Sequence, residues 1–338
     1  MINQVPKVAV VILSWNGEDL LKTYLSSVIN YSKEAEVIIA DNGSTDNSLS
    51  FLREEFPQIR IIENKQNYGF AKGYNKALQE VEADYYVLLN SDVEVTPFWI
   101  TPIIELMEKD STIACCQPKL LSYLERNKFE YAGGAGGFID YLGYPFCRGR
   151  IFNSLEEDHG QYNDEKEIFW ATGAALFVKS KIYNEFGGLD EDFFAHQEEI
   201  DFCWRVKNAG YKVYYCPKSI CYHLGGGTLN KTSSHKTFLN FRNNLYLLYK
   251  NLPQEQKTKI FFMRFFLDII ASITFLLQGK AGEFIAVYKA YIAFVKTKNQ
   301  IKQKRKPIIN HNIKEIYPYS IVFSYYIKSK KKFSDLKL

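Results

Sequence analysis

The sequence lacks the short motifs that identify several common classes of nucleotide-binding protein. No Gly-x-Gly-x-x-Gly follows the first apolar run, and no Gly-Lys-Ser/Thr loop occurs anywhere. Rossmann dehydrogenases and P-loop NTPases therefore lose their main sequence support. The formal net charge is only +4, and neither a basic helix nor a zinc-type Cys/His spacing is present. Nucleic acid is therefore not an expected partner.

Cysteine usage and the N-terminal residues give an expectation about the compartment. The six cysteines include no C-x-x-C pair, and the sequence does not begin with a secretory signal. A reducing cytoplasm is the simplest expectation. With 338 residues, of which 46% are hydrophobic, the chain is long enough for a full α/β core and has further residues left over.

Four apolar runs of strand composition dominate the first hundred residues, and each ends in polar side chains. They cover residues 7–13, 37–40, 59–63 and 85–89, with stretches of helical period between them. This alternation predicts an α/β fold with right-handed crossovers and a mainly parallel sheet. The polar loops after the strands should then lie together at one edge of the sheet, where ligands bind in such folds.

The chemistry of these loops suits a nucleotide diphosphate. Asp92 follows the fourth run, and a hard divalent cation that also holds a diphosphate needs only one or two carboxylate oxygens from the protein. Asp41 could accept a hydrogen bond from the ring N–H of uracil or thymine, and Trp15 could lie against a base or ribose. Taken singly, Asp92 and Asp41 are also explained as turn residues and Trp15 as a core residue. Together they predict a binding site.

An ordered series of motifs resembles that of the family 2 inverting glycosyltransferases, which have the GT-A fold. The resemblance covers about residues 5 to 245 and is closest to the rhamnosyltransferase-like branch. Its motifs lie at residues 10–16, 40–46, 67–75, 89–92, 170–176, 186–190, 198–205 and 222–227.

The resemblance implies a donor site, a metal site and an acceptor side. Asp92 would hold Mg²⁺ or Mn²⁺, although Asn90 stands where the family's Asp-x-Asp motif has its first carboxylate. His223 would approach the metal or the diphosphate, unless it is only a surface or capping residue. The nucleotide and donor residues would be Ser14, Trp15, Asn16, Asp41, Asn42, Ser44, Asn67, Gly69, Gly73, Asn75, Asn90 and Ser91. The acceptor side would include Trp170, Thr172, Gly173 and Arg148.

The catalytic base implied by the resemblance is Glu199, with Glu198 as the competitor, because the family usually has Glu-Asp at this pair. A helix that begins near Glu198 and ends by Gly210 would place Glu199 on the face of Phe202 and Cys203, directed inward. Glu198 would instead share a solvated stripe with charged residues further along the helix. Burial would raise the pKa of Glu199 and the helix N-terminus would lower it.

Residues 122–168 differ in character from the rest of the chain. The glycine-rich run 133–137 is too flexible for a helix or a regular strand, and it precedes Arg148 and Arg150. We interpret the segment as a mobile acceptor-side loop whose arginines meet a lipid-linked diphosphate, or else as an ordinary surface excursion.

The C-terminal residues suggest a membrane-associated or dimerising region that follows a catalytic domain of residues 1–250. The catalytic domain would consist of a nucleotide-sugar half, 1–120, and an acceptor half, 121–250. Residues 260–278 are rich in Phe, Ile and Leu, yet Arg264, Asp268 and Ser272 recur every four residues as a polar stripe, and a second helical stretch covers 283–296. A basic run, 296–306, follows. An interfacial membrane anchor fits this pattern, and a helical subdomain or homodimer interface is the alternative.

Together these observations predict an enzyme that moves a sugar from dTDP-rhamnose or a UDP-sugar to a polyprenyl-diphosphate-linked saccharide in cell-surface polysaccharide synthesis. It would act as a peripheral protein on the inner face of the bacterial membrane. A nucleotidyltransferase would need a Gly-rich basic loop after the first strand, which residues 14–18 do not provide. An inactive nucleotide-sugar binding protein is the other alternative.

Overall fold

The predicted α/β fold is confirmed in a computed structural model, which describes residues 5–225 and 234–338. The strands are β1 (Val8–Ser14), β2 (Glu36–Asp41), β3 (Arg60–Glu63), β4 (Tyr85–Asn90), β5 (Val93–Val95), β6 (Ile113–Ser122), β7 (Gly137–Asp140), β8 (Pro145–Cys147), β9 (Arg150–Ile151), β10 (Ser154–Leu155), β11 (Lys166–Ile168), β12 (Ala175–Lys179), β13 (Lys212–His223) and β14 (Ile316–Tyr317). The helices are α1 (Glu18–Tyr31), α2 (Ser48–Glu55), α3 (Gly69–Leu78), α4 (Thr101–Lys109), α5 (Ser180–Glu185), α6 (Glu198–Asn208), α7 (Ser234–Asn251), α8 (Gln254–Leu277), α9 (Ala281–Gln303) and α10 (Ile321–Tyr326).

The main sheet has nine strands in the order β11-β13-β6-β12-β4-β1-β2-β3, with β5 added beside β13. Strands β1 to β4 are parallel to one another, as the helical crossovers require. β12 is antiparallel to β4 and β6. Both faces of the sheet are covered, so the central strands are buried almost throughout, and their apolar composition follows from that position.

The strand register brings the predicted polar residues to one edge of the sheet. Ser14 lies opposite Asp41, and Leu13 lies opposite Asn90. Because these strands are parallel, their carboxyl ends coincide and the loops that follow them are neighbours. The expectation that separate motifs meet at this edge is therefore confirmed for the first, second and fourth strands.

The segment 122–168 is not a mobile loop. It forms most of a second sheet of five strands in the order β10-β9-β8-β7-β14. The first residue of β7, Gly137, must be a glycine because an indole ring covers its backbone. A Cβ at this position would lie 2.1 Å from the ring of Trp170. The glycines that suggested flexibility are instead required by close packing.

The C-terminal residues return to the catalytic domain after α9. β14 pairs in parallel with β7, and Phe333 packs against Phe138 at a ring-centroid distance of 4.9 Å. Lys304 forms ion pairs with Asp190 and Asp192 at 2.5 and 2.6 Å. Only part of the predicted C-terminal region is therefore a pair of long helices, because residues beyond 306 complete the second sheet and its core.

Candidate active site

The carboxylate of Asp92 and the imidazole of His223 meet although 131 residues separate them in sequence. β5 follows Asp92 directly and pairs with β13 so that Val93 lies opposite His223. The register places His223 Nε2 3.1 Å from Asp92 Oδ1, and both side chains are buried. The predicted grouping of these two residues is thus a consequence of one antiparallel strand pair.

Glu130, which the sequence did not single out, lies on the other side of the imidazole. Its Oε1 is 3.4 Å from His223 Nδ1. Burial lowers the pKa of His223, but the carboxylates of Glu130 and Asp92 outweigh burial and raise it to about 10. The imidazole is therefore a cation between two carboxylates unless a metal replaces its Nε2 proton.

The residues at this position fit a divalent cation that is shared with a diphosphate. Asp92 offers an oxygen and His223 a ring nitrogen, and a carboxylate behind a metal-ligating imidazole is the usual arrangement around a bound metal. Over residues 5–225 and 234–338, no group of three or more His, Cys, Asp or Glu side chains is placed to hold a metal by itself. A metal ion here would need oxygens of the sugar donor's diphosphate to complete its coordination, as Mg²⁺ bound to phosphates does.

Asp41 and Trp15 lie where a nucleobase could bind. Asp41 is buried at the end of β2, and its Oδ2 accepts hydrogen bonds from the backbone N–H groups of Gly43 and Ser44, each at 3.0 Å. Its Oδ1 has no hydrogen-bond partner in the part of the chain that the structure describes. The side chain of Trp15 is 42% exposed, so it is not a core residue. An orphan acceptor beside an exposed indole suits a base with a ring N–H.

The loops after β1 and β2 support one another through Asn16. The backbone N–H of Asn16 donates to Ser44 Oγ at 2.9 Å, and Asn16 Oδ1 accepts from the N–H of Thr45 at 2.7 Å. Asn16 adopts a left-handed backbone, with φ of 48°. Ser14 Oγ is buried without a hydrogen-bond partner among the described residues. Asn16 and Ser44 therefore shape the donor loops, and Ser14 retains an uncommitted hydroxyl.

The structure corrects the expectation for Asn42. Its Nδ2 donates to Asn67 Oδ1 and Gly69 O, both at 3.1 Å, and its Oδ1 accepts from Asn64 Nδ2 and the Tyr68 N–H, both at 3.2 Å. This buried amide has no hydrogen-bonding capacity left for a nucleotide. Asn42 instead joins the loop after β2 to the start of α3.

Asn75 is saturated in the same way and is a second correction. Its Oδ1 accepts from the Tyr183 hydroxyl at 2.7 Å and the Leu189 N–H at 3.0 Å. Its Nδ2 donates to Leu189 O at 2.8 Å and contacts Glu191 Oε1 at 3.4 Å. Asn75 therefore connects α3 with the turn after α5. Its side chain has no free polar atom left to bind a nucleotide.

The predicted glycines of the third motif are required by close packing. Gly69 has a φ of 76°, and a Cβ there would lie 2.6 Å from the ring of Phe194. A Cβ on Gly73 would lie 3.0 Å from Leu13 and 3.1 Å from Asn42 Nδ2. Their role in this motif is to let α3 approach β1 and the residues before α6.

Asn90 and Gly173 connect the end of β4 with the start of α6, and Ser91 follows Asn90. The N–H of Asn90 donates to Ala174 O at 3.0 Å, and both Asn90 and Ser91 are half-buried. A Cβ on Gly173 would lie 3.8 Å from Glu199 Cβ. The polar end of β4 is therefore linked to the start of α6 through the residues before β12.

Glu198 and Glu199 begin α6, as predicted, but their burial differs from expectation. Glu198 is buried and Glu199 is half-buried. Burial raises the pKa of Glu199 to about 7, although backbone N–H groups at the helix start lower it. Burial and the nearby Glu199 charge raise the pKa of Glu198 well above its usual range. Burial therefore has a larger effect on the pKa of Glu199 than the helix N-terminus.

The supposed solvated stripe that follows Glu198 is a buried ion network. Asp201 is fully buried and accepts from Arg205 at 2.8 Å and from Lys250 Nζ at 2.8 Å. Lys250 also contacts Asp190 at 2.6 Å. The stripe faces inward because α7 packs over it. Glu198 Oε2 does not join the network and has no hydrogen-bond partner among the residues that are described.

Three acceptor-side predictions are corrected by burial. Trp170 is a core residue whose Nε1 donates to Phe138 O at 2.9 Å. Thr172 Oγ1 donates to Ala132 O at 2.7 Å and is likewise buried. Arg148 is buried over the rings of Tyr162 and Tyr215 and donates to Asp164 at 2.8 Å. These side chains hold the second sheet on the first, and Arg148 is not an exposed guanidinium at the surface.

The last predicted motif ends partly outside the described residues. His223 and Gly225 are described, whereas Gly226 and Gly227 are not. Gly225 has a φ of 70°, and a Cβ there would lie 2.8 Å from Glu130 Oε1. A side chain at Gly225 would displace the carboxylate that contacts His223.

The fold is that of GT-A glycosyltransferases, as similarity to solved structures shows. The structure of GalNAc-T7 with UDP, GalNAc and Mn²⁺ superposes with a TM-score of 0.56 at 16% identity, over 73% of this chain and 48% of that one. A mannosyltransferase of Pyrobaculum calidifontis with GDP-Man and Mn²⁺ gives a TM-score of 0.51 at 13% identity, over 87% of this chain and 76% of that one.

Sequence comparison finds a glycosyltransferase family 2 domain within the chain. The model described as glycosyl transferase family 2 matches residues 9–164. An N-acetylglucosaminyl-diphospho-decaprenol L-rhamnosyltransferase of Mycobacterium tuberculosis is 22% identical over 67% of this chain and 79% of its own length. A low-salt glycan biosynthesis hexosyltransferase of Haloferax volcanii is 23% identical over 70% of this chain and 73% of its own length. Residues 9–164 therefore match a family 2 glycosyltransferase domain, and the protein is a glycosyltransferase.

Proposed function

We propose that this enzyme transfers a sugar from a nucleoside-diphosphate donor, dTDP-rhamnose or a UDP-sugar, to a lipid-linked saccharide with inversion at the anomeric carbon. One observation carries the proposal. The orphan oxygen of Asp41, the Asp92–His223 pair and the start of α6 all lie at the carboxyl edge of the main sheet. The mycobacterial relative, which acts on a decaprenol-linked acceptor, supports the acceptor class.

The proposed reaction is a single displacement. Glu199 accepts the proton of an acceptor hydroxyl as the hydroxyl oxygen bonds to the anomeric carbon, and the bond to the donor diphosphate breaks with its electron pair leaving on the diphosphate. A Mg²⁺ or Mn²⁺ ion held by Asp92 and His223 would stabilise that negative charge. Glu199 suits the role of base better than Glu198 because Glu199 is half-buried and burial raises its pKa to about 7, whereas Glu198 is buried.

Nucleotide binding tests the donor half of the proposal. UDP and dTDP should raise the melting temperature in Mn²⁺, and Asp92→Ala should remove the metal-dependent part of that shift while leaving binding in EDTA nearly unchanged. Glu94→Ala is the matched control because Glu94 lies on the same short strand and pairs with the exposed Arg126 at 2.9 Å. An equal loss for Asp92→Ala in EDTA would remove Asp92 from the metal site. Transfer of labelled sugar to a polyprenyl-diphosphate-linked saccharide then tests the reaction.

We also propose that the outer face of α8 and α9 lies on an anionic membrane. Arg264 and Asp268 point into the protein, where Arg264 donates to Leu142 O at 3.0 Å. The opposite face is exposed and apolar, with exposed fractions of 66% for Phe262, 61% for Ile270 and 83% for Leu277.

Length, composition and charge favour a bilayer over a second copy of the chain as the partner of this face. Of the helices that the structure describes, α8 alone is long and apolar enough to cross a membrane. Its polar side is bonded to the domain, so we place the helix on the surface of the bilayer. Exposed lysines border the face at positions 259, 280, 289, 296 and 298, and each contributes about 1 kcal/mol near anionic lipid. Lys304 and Arg305 of the predicted basic run are instead bonded within the domain.

A further inference from the structure

Three of the four residues before the acid pair of α6 have an unusual backbone. Phe194, His196 and Gln197 have positive φ angles of 63°, 72° and 70°, and none of them is glycine. L-residues rarely adopt this region because Cβ approaches the backbone, and such conformations persist only where surrounding contacts impose them. α6 begins at the next residue, Glu198. The direction in which α6 leaves this turn therefore sets the position of the Glu199 carboxylate.

One buried amide on α7 binds the carbonyl groups of this segment. Asn243 Nδ2 contacts the carbonyl oxygens of Phe193, Ala195 and His196 at 3.0, 2.8 and 2.7 Å. Two N–H groups thus serve three carbonyls across the left-handed segment. Asn243 is fully buried, so no water replaces these bonds without opening the contact between α7 and the segment.

Arg242 fixes which way that amide points. Its Nε and one of its terminal nitrogens donate to Asn243 Oδ1 at 3.0 and 2.8 Å, which directs the Nδ2 group toward the carbonyls. The same guanidinium nitrogen also contacts Asp192 O and Phe193 O, each at 3.0 Å. On the opposite side, the N–H of Phe70 at the start of α3 donates to Phe194 O at 2.8 Å. The segment is therefore held between α7 and the nucleotide-side helix α3.

We propose that Asn243 is a positioning residue for the transfer reaction: by binding the carbonyl groups of residues 193, 195 and 196, it holds the turn of residues 194–197 and so places Glu199 against the acceptor hydroxyl. The inference rests on the proposed function of Glu199. It assigns a role to a residue beyond the part of the chain that the family model matches, residues 9–164. Misplacing a reacting group by about 1 Å costs on the order of 100-fold in rate. The loss of this remote amide should therefore be measurable as a lower kcat.

The test compares Asn243→Ala with Asn244→Ala. Asn244 is the adjacent residue, is also buried and donates hydrogen bonds to Gly143 O at 2.8 Å and to the Gln197 side chain at 3.1 Å. It touches the left-handed segment only through that side chain and binds none of the three carbonyls. Both variants should lose similar thermal stability. Asn243→Ala should lower kcat about 10-fold to 100-fold with the donor Kd changed less than threefold, and Asn244→Ala should keep kcat within threefold.

Amide hydrogen exchange supplies a readout that needs no substrate. Residues 193–200 should exchange faster in Asn243→Ala than in Asn244→Ala or the wild type. If Asn243→Ala does not fold, Arg242→Met, which removes the group that orients the amide, should show the same contrast with a smaller effect. Equal kcat losses in the two asparagine variants, or unchanged exchange in Asn243→Ala, would overturn the proposal. A wild-type enzyme that transfers no sugar would instead remove the proposed function and leave the exchange comparison valid.

Discussion

Glu199→Gln separates the catalytic role of this carboxylate from its effect on folding. The substitution keeps the shape of the side chain and removes the proton acceptor. Loss of a general base typically costs ~10² to 10⁴ in rate, or about 3 to 5 kcal/mol in activation free energy. Turnover should fall by that factor while donor affinity stays within a fewfold, because Asp41 and Asp92, not Glu199, are expected to hold the nucleotide.

The same variant should be more stable than the wild type at alkaline pH. A pKa raised by burial from 4.5 to about 7 means that the folded protein favours the neutral carboxyl by at most about 3 kcal/mol. The folded state binds the proton more tightly than the unfolded state, so stability is lost as pH rises from about 4.5 through 7. Glu199→Gln removes this loss, and the difference should be largest near pH 8 and vanish near pH 4.5.

Two assays and one comparison test this reasoning. Denaturant unfolding at several pH values measures the stability difference, and the wild-type pH–rate profile should show an acidic limb near pH 7 as the base loses its proton. Glu198→Gln is the control, since Glu198 is the adjacent carboxyl at the start of α6 and is buried, which raises its pKa well above the usual range. An inactive Glu198→Gln beside an active Glu199→Gln would refute the assignment.

Four further predictions follow from particular contacts. Trp15→Ala should weaken nucleotide binding by about 1 kcal/mol or more through lost base stacking, measured by calorimetry; unchanged affinity would place the base elsewhere. Glu130→Gln should weaken the Mn²⁺-dependent part of UDP binding about 10-fold, as removal of a carboxylate behind a metal ligand does, and leave binding in EDTA unaltered. Arg264→Met should destabilise the protein by about 3 to 5 kcal/mol in denaturant titrations because Asp268 is left buried without its cation. Ile270→Glu should release the intact chain from anionic vesicles in co-sedimentation at unchanged melting temperature; a wild-type chain that stays soluble but forms a dimer that Ile270→Glu dissociates would make this face a subunit interface.

The sequence by itself determined the fold class and the edge that carries the site. Alternating apolar runs and helical stretches require parallel strands with right-handed crossovers, so the carboxyl ends of β1, β2 and β4 coincide whatever the loops contain. Asp41 and Asp92 were therefore predictable as neighbours in the fold from local patterns alone. The start of α6 at Glu198 was predictable for the same reason, because helical period and the glycine at position 210 are local signals.

Tertiary structure decided which polar side chains remain available at that edge. Asn42 and Asn75 belong to motifs, but partners from elsewhere in the chain use all their hydrogen-bonding groups. Glu130 and Asn243 carry no local signal, because their roles arise from contacts with residues about 50 to 90 positions away. A sequence pattern records period and spacing, whereas the saturation of a polar group depends on partners that only the folded chain brings near.

The same distinction explains the C-terminal helices. The period of four predicted that Arg264, Asp268 and Ser272 share one face of α8, and they do. Periodicity cannot show which face points inward. Packing against Leu142, Tyr144 and Tyr291 turned the polar stripe toward the protein, because an ion pair and two tyrosine hydroxyls satisfy it there. Because the polar stripe faces the protein, the apolar face of α8 is exposed.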